Sequence, residues 1–312
     1  MRTLVALMAA AAVAPAHPLT WSGEPPLSAE TAAAVQKAQA GDFADLIKRA
    51  DAGHPDAQVR LGRAYMSGAK GLPRDPAKAC AYQEKAAPQR ADAMHLAGLC
   101  HLRGLGGPAD SAKAKAAFES ALAMGYPKSK CALGAMLIAE GPEAERGLSL
   151  CHEAAQAGDA EAQAEVGRAY RAGRGAKADA KEARRWLEMA AAQKYAPAQR
   201  TLGEMYARGE GGKKDKKKAF EQWVAADKAG DAMTPILMGD FLFGELTGGK
   251  TPGPGKFRIP AGAPLSQVDE AEAWYKAAAA RDPRPEVRSR ATTAVSVLQQ
   301  LKVGLQAKGH AP

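Results

Sequence analysis

Apolar residues along this chain recur at helical rather than strand spacing. In AQVRLGRAYMSG from Ala57 and AQRTLGEMYARG from Ala198, Leu and Tyr stand four positions apart. This spacing predicts amphipathic helices. The pattern repeats. Dipeptides of the Leu-Gly type put glycine at Gly62, Gly98, Gly134, Gly167, Gly203 and Gly239, in steps of 36, 36, 33, 36 and 36 residues. A fixed period in this range is the signature of a solenoid.

Each copy predicts two helices. The first carries Leu61 and Tyr65, or Leu202 and Tyr206, around a central glycine. Glycine in a helix interior costs ~1 kcal/mol relative to alanine, so close approach of a neighbouring helix backbone is expected there. A loop follows with Gly68, Gly104, Gly173 or Gly209, suited to a helix C-terminus that turns left-handed. Next come Asp75, Asp110, Asp179 and Asp215, placed to cap the second helix. That helix bears Tyr82, Phe118, Trp186 or Trp223 and then alanine pairs, and ends at Gly125, Gly158 or Gly230. A hairpin with apolar stripes on both flanks cannot bury them alone and must stack. Residues 28–53 predict one more helix pair. Residues 285–306 predict a final helix opened by a proline.

The segments LGRAYMSG at Leu61, VGRAYRAGRG at Val166 and LGEMYARGEG at Leu202, with the following Asp, Lys-Ala, Trp or Tyr and Ala-Ala, resemble the Sel1-like repeat family, a relative of the tetratricopeptide repeat. The resemblance covers roughly residues 55–280. It departs at His101, Leu137 and Leu242, which stand in the Tyr position, and in the unit from Lys128, which lacks the Gly-x-Gly loop. It implies an all-α, right-handed superhelical solenoid of about six helix pairs, running over 28–283 with a capping helix at 284–306 and a tail at 307–312.

Composition agrees with helices. Alanine supplies 73 of 312 residues and aromatics only 5%, whereas sheets favour branched and aromatic side chains. The N-terminal MRTLVALMAAAAVAPA has one basic residue, an apolar core too short to span a bilayer and a small-x-small site ending at Ala16. It reads as a signal peptide over 1–16, followed by a Pro-rich leader over 17–27. Cleavage after Ala14 would leave Pro15 first, which is disfavoured. The expectation is a periplasmic or secreted protein without a transmembrane segment in the mature chain, and a monomer.

Export bears on the four cysteines, Cys80, Cys100, Cys131 and Cys151, since oxidising compartments permit disulfides. Four cysteines allow three connectivities. Cys80 and Cys100 flank the turn near Arg90 at ten residues each, and Cys131 and Cys151 flank Gly141 likewise. Positions equidistant from a helix–helix turn lie side by side, so the expected bridges are Cys80–Cys100 and Cys131–Cys151. Helix-linking disulfides in secreted members of the family support this pairing.

Sharper chemistry is sparse. The dipeptides Cys100-His101 and Cys151-His152 diverge by roughly 100° on a helix and cannot easily serve one metal ion. GELTGGKT from Gly244 matches a phosphate-loop pattern, but a helix precedes it and Pro252 and Pro254 follow, so no helix can start there to hold phosphates. No cofactor or metal is expected, and no catalytic constellation stands out.

The charge is uneven. The whole chain carries +9; residues 17–160 hold 16 basic and 16 acidic side chains, and 161–312 hold 26 and 18. The densest cluster is Lys213, Lys214, Lys216, Lys217 and Lys218, in a loop where solvated lysine is ordinary. The insertion at 247–266 offers Lys256, Phe257 and Arg258 as a contact arm. Arg63, Arg168, Glu204 and Asp240 each follow a repeat glycine and vary in charge. The resulting reading is a non-catalytic exported scaffold, and the resemblance implies an adaptor or regulator of the cell envelope. It would bind a protein or peptide, acidic in character where the basic half is used, in a concave groove lined by first helices. The alternatives are a peptidoglycan or β-lactam binder or enzyme, which the resemblance brings in, and a polyanion or lipid-surface binder. Nucleic acid is disfavoured by export and by the lack of interleaved basic and aromatic residues.

Overall fold

A computed structural model describes residues 29–39, 41–249 and 264–309. The expected signal peptide and leader, and the insertion residues Lys256, Phe257 and Arg258, lie outside them. The described residues form fifteen helices and no strand; an isolated bridge joins Ala69 and Leu72. They divide into two compact units, with the boundary after Leu137. The first unit holds α1 (Ala29–Gln39), α2 (Ala44–Asp51), α3 (Pro55–Ser67), α4 (Pro76–Ala86), α5 (Ala91–Arg103), α6 (Ser111–Ala123) and most of α7 (Ser129–Glu140). The second holds the end of α7, α8 (Ala144–Gln156), α9 (Ala160–Ala172), α10 (Ala180–Ala192), α11 (Ala196–Arg208), α12 (Lys216–Lys228), α13 (Thr234–Thr247), α14 (Leu265–Arg281) and α15 (Pro285–Gly309). The extra N-terminal pair is α1–α2, and the final helix runs to Gly309. Within each unit, helices adjacent in the chain pack on one another, from α1 to α6 and from α8 to α15.

The punctuation of each hairpin is as its residues dictate. Asp75, Asp110, Asp179 and Asp215 accept backbone N–H bonds at the starts of α4, α6, α10 and α12, at 2.9–3.1 Å. Gly104, Gly173 and Gly209 end α5, α9 and α11 in the left-handed region. Second helices are followed by glycine at positive φ, as at Gly125, Gly158 and Gly230. At the corresponding place after α10 stands Lys194, with φ 62°. An L-residue there costs roughly 1–2 kcal/mol, so Lys194→Gly is expected to stabilise the protein by about 1 kcal/mol. A urea midpoint higher than wild type would show it.

The repeat glycine inside each first helix lets the second helix of its own hairpin approach. A Cβ on Gly98 would sit 2.7 Å from the Phe118 ring, on Gly167 2.7 Å from Leu187, and on Gly239 2.9 Å from Tyr275. The Trp223 indole crowds Gly203 in the same way. The expected neighbour was backbone. The carbonyls of Ala79 and Ala183 are indeed 3.0 Å from a Cβ built on Gly62 and Gly167, but elsewhere bulky side chains fill the space.

Successive hairpins are joined by two further devices. The second loop glycine presses on the preceding second helix: Gly175 on the Ala144 carbonyl that opens α8, and Gly211 on the Ala180 carbonyl that opens α10. Gln58, Gln163 and Gln199, all buried, donate from Nε2 to the carbonyls of Ala50, Ala155 and Ala191, eight residues earlier. Each acceptor is an end-of-helix carbonyl that also takes the turn N–H three residues on, from Gly53, Gly158 or Lys194. Each bond therefore ties one hairpin to the end of the last.

Of the two expected bridges, Cys80–Cys100 is present, joining α4 to α5. Cys131 and Cys151 are both disulfide-bonded as well, and no cysteine is free.

His95 on α5 lies between the rings of Phe118 and Tyr126, with centroids 5.5 and 5.2 Å away, and its Nδ1 is 3.0 Å from Ser129 Oγ. Burial first, then Lys128 and Arg103, push the imidazole down to about 4, against a smaller opposing pull from Asp92. A depressed folded value means stability that is complete above the ordinary histidine range near 6.5 and is lost as pH falls toward 4. The loss is expected to reach roughly 2–3 kcal/mol. Thermal melts between pH 7 and 4 should show a steeper decline for wild type than for His95→Asn. Parallel declines would contradict it.

Candidate interaction surface

Of the six residues after the repeat glycines, Leu99 and Ala135 are apolar, and Arg63, Arg168, Glu204 and Asp240 are each held in a polar contact. Arg63 on α3 reaches Asp92 on α5 at 3.2 Å; Asp92 is only 3% exposed and also takes Arg90 at 2.9 Å. Arg90 additionally pairs with Asp56. Burial first lowers the Arg60 and Arg63 guanidiniums, with the neighbouring arginines adding to it and Asp92 opposing it. Nearby, burial and then Asp92 push Tyr126 up to about 12.

In the second unit Arg168 pairs with Glu165 on its own helix. Glu204 on α11 takes Arg171 of α9 at 3.2 Å, and Arg171 also grips Glu210 at 2.6 Å. Asp240 on α13 accepts the Tyr275 hydroxyl at 2.9 Å and pairs with Arg290 of α15 at 2.8 Å. Arg200 of α11 pairs at 3.1 Å with Asp231, just ahead of α13. The four predicted positions are therefore not free solvated charges. Two of them bind successive first helices together, Asp240 ties α13 to α14 and the final helix, and Arg168 is fixed within its helix. The surface is of mixed sign, and its side chains are held in place.

The repeat tyrosine adds a periodic contact one layer below. Tyr170 Oη lies 3.1 Å from His152 Nε2, and Tyr206 Oη lies 3.0 Å from Glu188, both eighteen residues apart. His152 also meets the Trp186 ring edge-on at 5.2 Å. His101, in the tyrosine position of its unit, lies 3.5 Å from Glu84. These histidines are thus accounted for by packing and polar contact within the hairpins.

The lysine cluster lies where α11 passes to α12. Lys216, the first residue of α12, pairs with Glu245, and Lys218 lies 5.5 Å from the Tyr206 ring centroid. Lys213, Lys214 and Lys217 are exposed. An open polar depression of about 650 Å³ lies between Gly141–Arg146 and the loop residues Gly173, Gly175, Ala176 and Lys177. The phosphate-loop match fails on structure too: Gly244–Thr247 form the end of α13.

Among the described residues, no three His, Cys, Asp or Glu side chains gather as a metal site, and no helix is long and apolar enough to cross a membrane. The architecture defines an all-α repeat protein in which stacked hairpins present an ordered polar surface. The chain matches the Sel1 repeat family at residues 55–88, 91–126, 160–195, 196–221 and 262–283, and it belongs to that family. The unit from Lys128, which lacks the Gly-x-Gly loop, is passed over. Sel1-repeat proteins generally mediate protein–protein interaction and are generally non-catalytic.

Among solved structures, a Sel1 repeat protein from Oxalobacter formigenes is similar at a TM-score of 0.60, with 21% identity over 83% of this chain and 100% of that one. An immunity protein from Pseudomonas aeruginosa gives 0.47 at 21% identity, over 67% of this chain and 85% of that one. A protective antigen with an SLR fold from uropathogenic Escherichia coli gives 0.42 at 20%, over 85% and 67%. The first shares the fold; the other two scores are too low to add to it. No curated protein matches the sequence.

Proposed function

We propose that this protein is a non-catalytic, exported interaction scaffold that binds a protein or peptide along its first-helix face. One observation carries the reading. In the second unit a single backbone position, set by the repeat glycine, presents Arg168, Glu204 and Asp240, each held by a partner at its own place in the fold, and in the first unit the same position presents Arg63. A constant backbone with varied, pre-positioned side chains is what a recognition surface needs, because little side-chain freedom is left to lose on binding. Disulfide-bonded cysteines support export, since reducing compartments keep thiols free.

The test is capture of a partner from the cell-envelope fraction by the purified, oxidised protein. Reversing Glu204 and Asp240 to lysine should abolish capture. Reversing the exposed Glu221 and Lys228 on second helix α12 should leave it intact. Equal capture by both variants would overturn the reading, as would covalent labelling of the protein by a penicillin probe.

A further inference from the structure

We propose that the loop edge of the second unit, built from the α9–α10 and α11–α12 loops and the helix starts that follow them, docks an acidic segment of a protein partner. This rests on the scaffold reading and names the chemistry of what is bound. Among the described residues, Arg174, Lys177, Lys181, Lys213, Lys214 and Lys217 are all exposed, and none has a carboxylate partner. Of the carboxylates around them, the exposed Glu145 lines the depression beside Lys177, and the others are already engaged. Asp179 and Asp215 cap α10 and α12. Glu182 faces Arg185, Glu188 takes Arg184 and the Tyr206 hydroxyl, Glu210 holds Arg171, and Glu245 holds Lys216.

The two loops form one continuous edge. Gly211 presses on the Ala180 carbonyl at the start of α10, and Gly212 lies against the Arg184 guanidinium. The second loop therefore lies against the helix that the first loop opens. The starts of α10 and α12 add the positive ends of two helix dipoles to the same edge. The open depression beside Lys177 leaves room for a chain to lie there.

The surroundings favour a carboxylate-rich segment over a membrane or nucleic acid. The exposed large hydrophobic side chains among the described residues are Met124, Met189, Leu265 and Val303, and none of them stands in either loop. Nothing there would insert into lipid or stack on bases. Isolated lysine ammoniums, spaced by capping aspartates, can pair with separate carboxylates one at a time.

The test uses the full chain and a fluorescein-labelled oligoglutamate of about twelve residues, followed by anisotropy at about 50 and about 300 mM salt. Wild type is expected to bind, and the higher salt to weaken it. Lys177→Glu, Lys213→Glu and Lys217→Glu combined should weaken binding roughly tenfold or more. A control that reverses Lys48, Lys70 and Lys85, exposed lysines of the first unit, makes the same change in net charge and should stay within about twofold. No binding by wild type overturns the proposal. So does equal weakening by both variants, or tighter binding to phosphatidylglycerol vesicles or duplex DNA than to the peptide. Envelope capture separates the two readings. Loss of the partner by the edge variant supports the edge. Retention by the edge variant, with loss by the Glu204 and Asp240 variant, overturns the edge and leaves the scaffold reading standing.

Discussion

Gly211→Ala is expected to cost about 3 kcal/mol or more, while Gly230→Ala should cost only about 1. Both glycines have positive φ, 71° and 86°, and both substitutions therefore incur the left-handed penalty of roughly 1–2 kcal/mol. They differ in what the new methyl meets. At Gly230 there is nothing within 4 Å. At Gly211 the methyl falls under 3.0 Å from the Ala180 carbonyl oxygen, with its carbon at 2.8 Å and the Arg184 Cβ at 3.3 Å. A helix backbone cannot swing aside as a side-chain tip can, so overpacking adds roughly 1–3 kcal/mol. Urea melts of the two variants check the contrast. Equal midpoints would mean that the loop glycine serves only its own turn and not the seat on the preceding helix.

Removing the Cys80–Cys100 bridge by the double serine variant is expected to cost about 3 kcal/mol. The bridge closes a separation of 20 residues, and loop-closure entropy for a loop of this length gives roughly that figure in the chain-entropy model. Both residues are almost fully buried, with Cys80 at 1% and Cys100 at 4% exposure, so serine hydroxyls in their place would also need partners. Melting of wild type with and without reductant, beside the double variant, checks the size. A variant melting within about 1 °C of oxidised wild type would show the loop to be ordered without the bridge. Peptide mapping of the oxidised protein should recover Cys80 joined to Cys100.

Much of the fold was legible because a repeat writes each structural demand several times. The spacing of Gly62, Gly98, Gly167, Gly203 and Gly239 located the first helices, and the aspartates located the starts of the second. The cysteine separation from the turn was enough to expect Cys80–Cys100. Other features escaped. Gln58, Gln163 and Gln199 stand four residues before their repeat glycines, a signal present in the sequence and overlooked because glutamine looks like surface. Its meaning depends on the preceding helix end lying within reach, which only stacking supplies. The charges after the repeat glycines were found, but their partners were not. Arg171 and Glu204 are 33 residues apart, and Asp240 and Arg290 are 50. Such pairs follow from the packing of neighbouring hairpins and from rotamers, which no local pattern encodes. The glycine contacts were expected to be with backbone, yet Phe118, Trp223 and Tyr275 fill most of that space. The sequence puts Phe118 and Trp223 on second helices, but no local pattern matches either to the glycine it faces.

The claim beneath all of this is that each hairpin props up the one before it through its loop. Hydrogen exchange by mass spectrometry on Gly211→Val tests that claim most directly. Exchange should quicken both in the loop at 209–215 and at the first turns of α10, residues 180–187, in the preceding hairpin. Quickening confined to the loop, with α10 as protected as in wild type, would show that the hairpins stand independently.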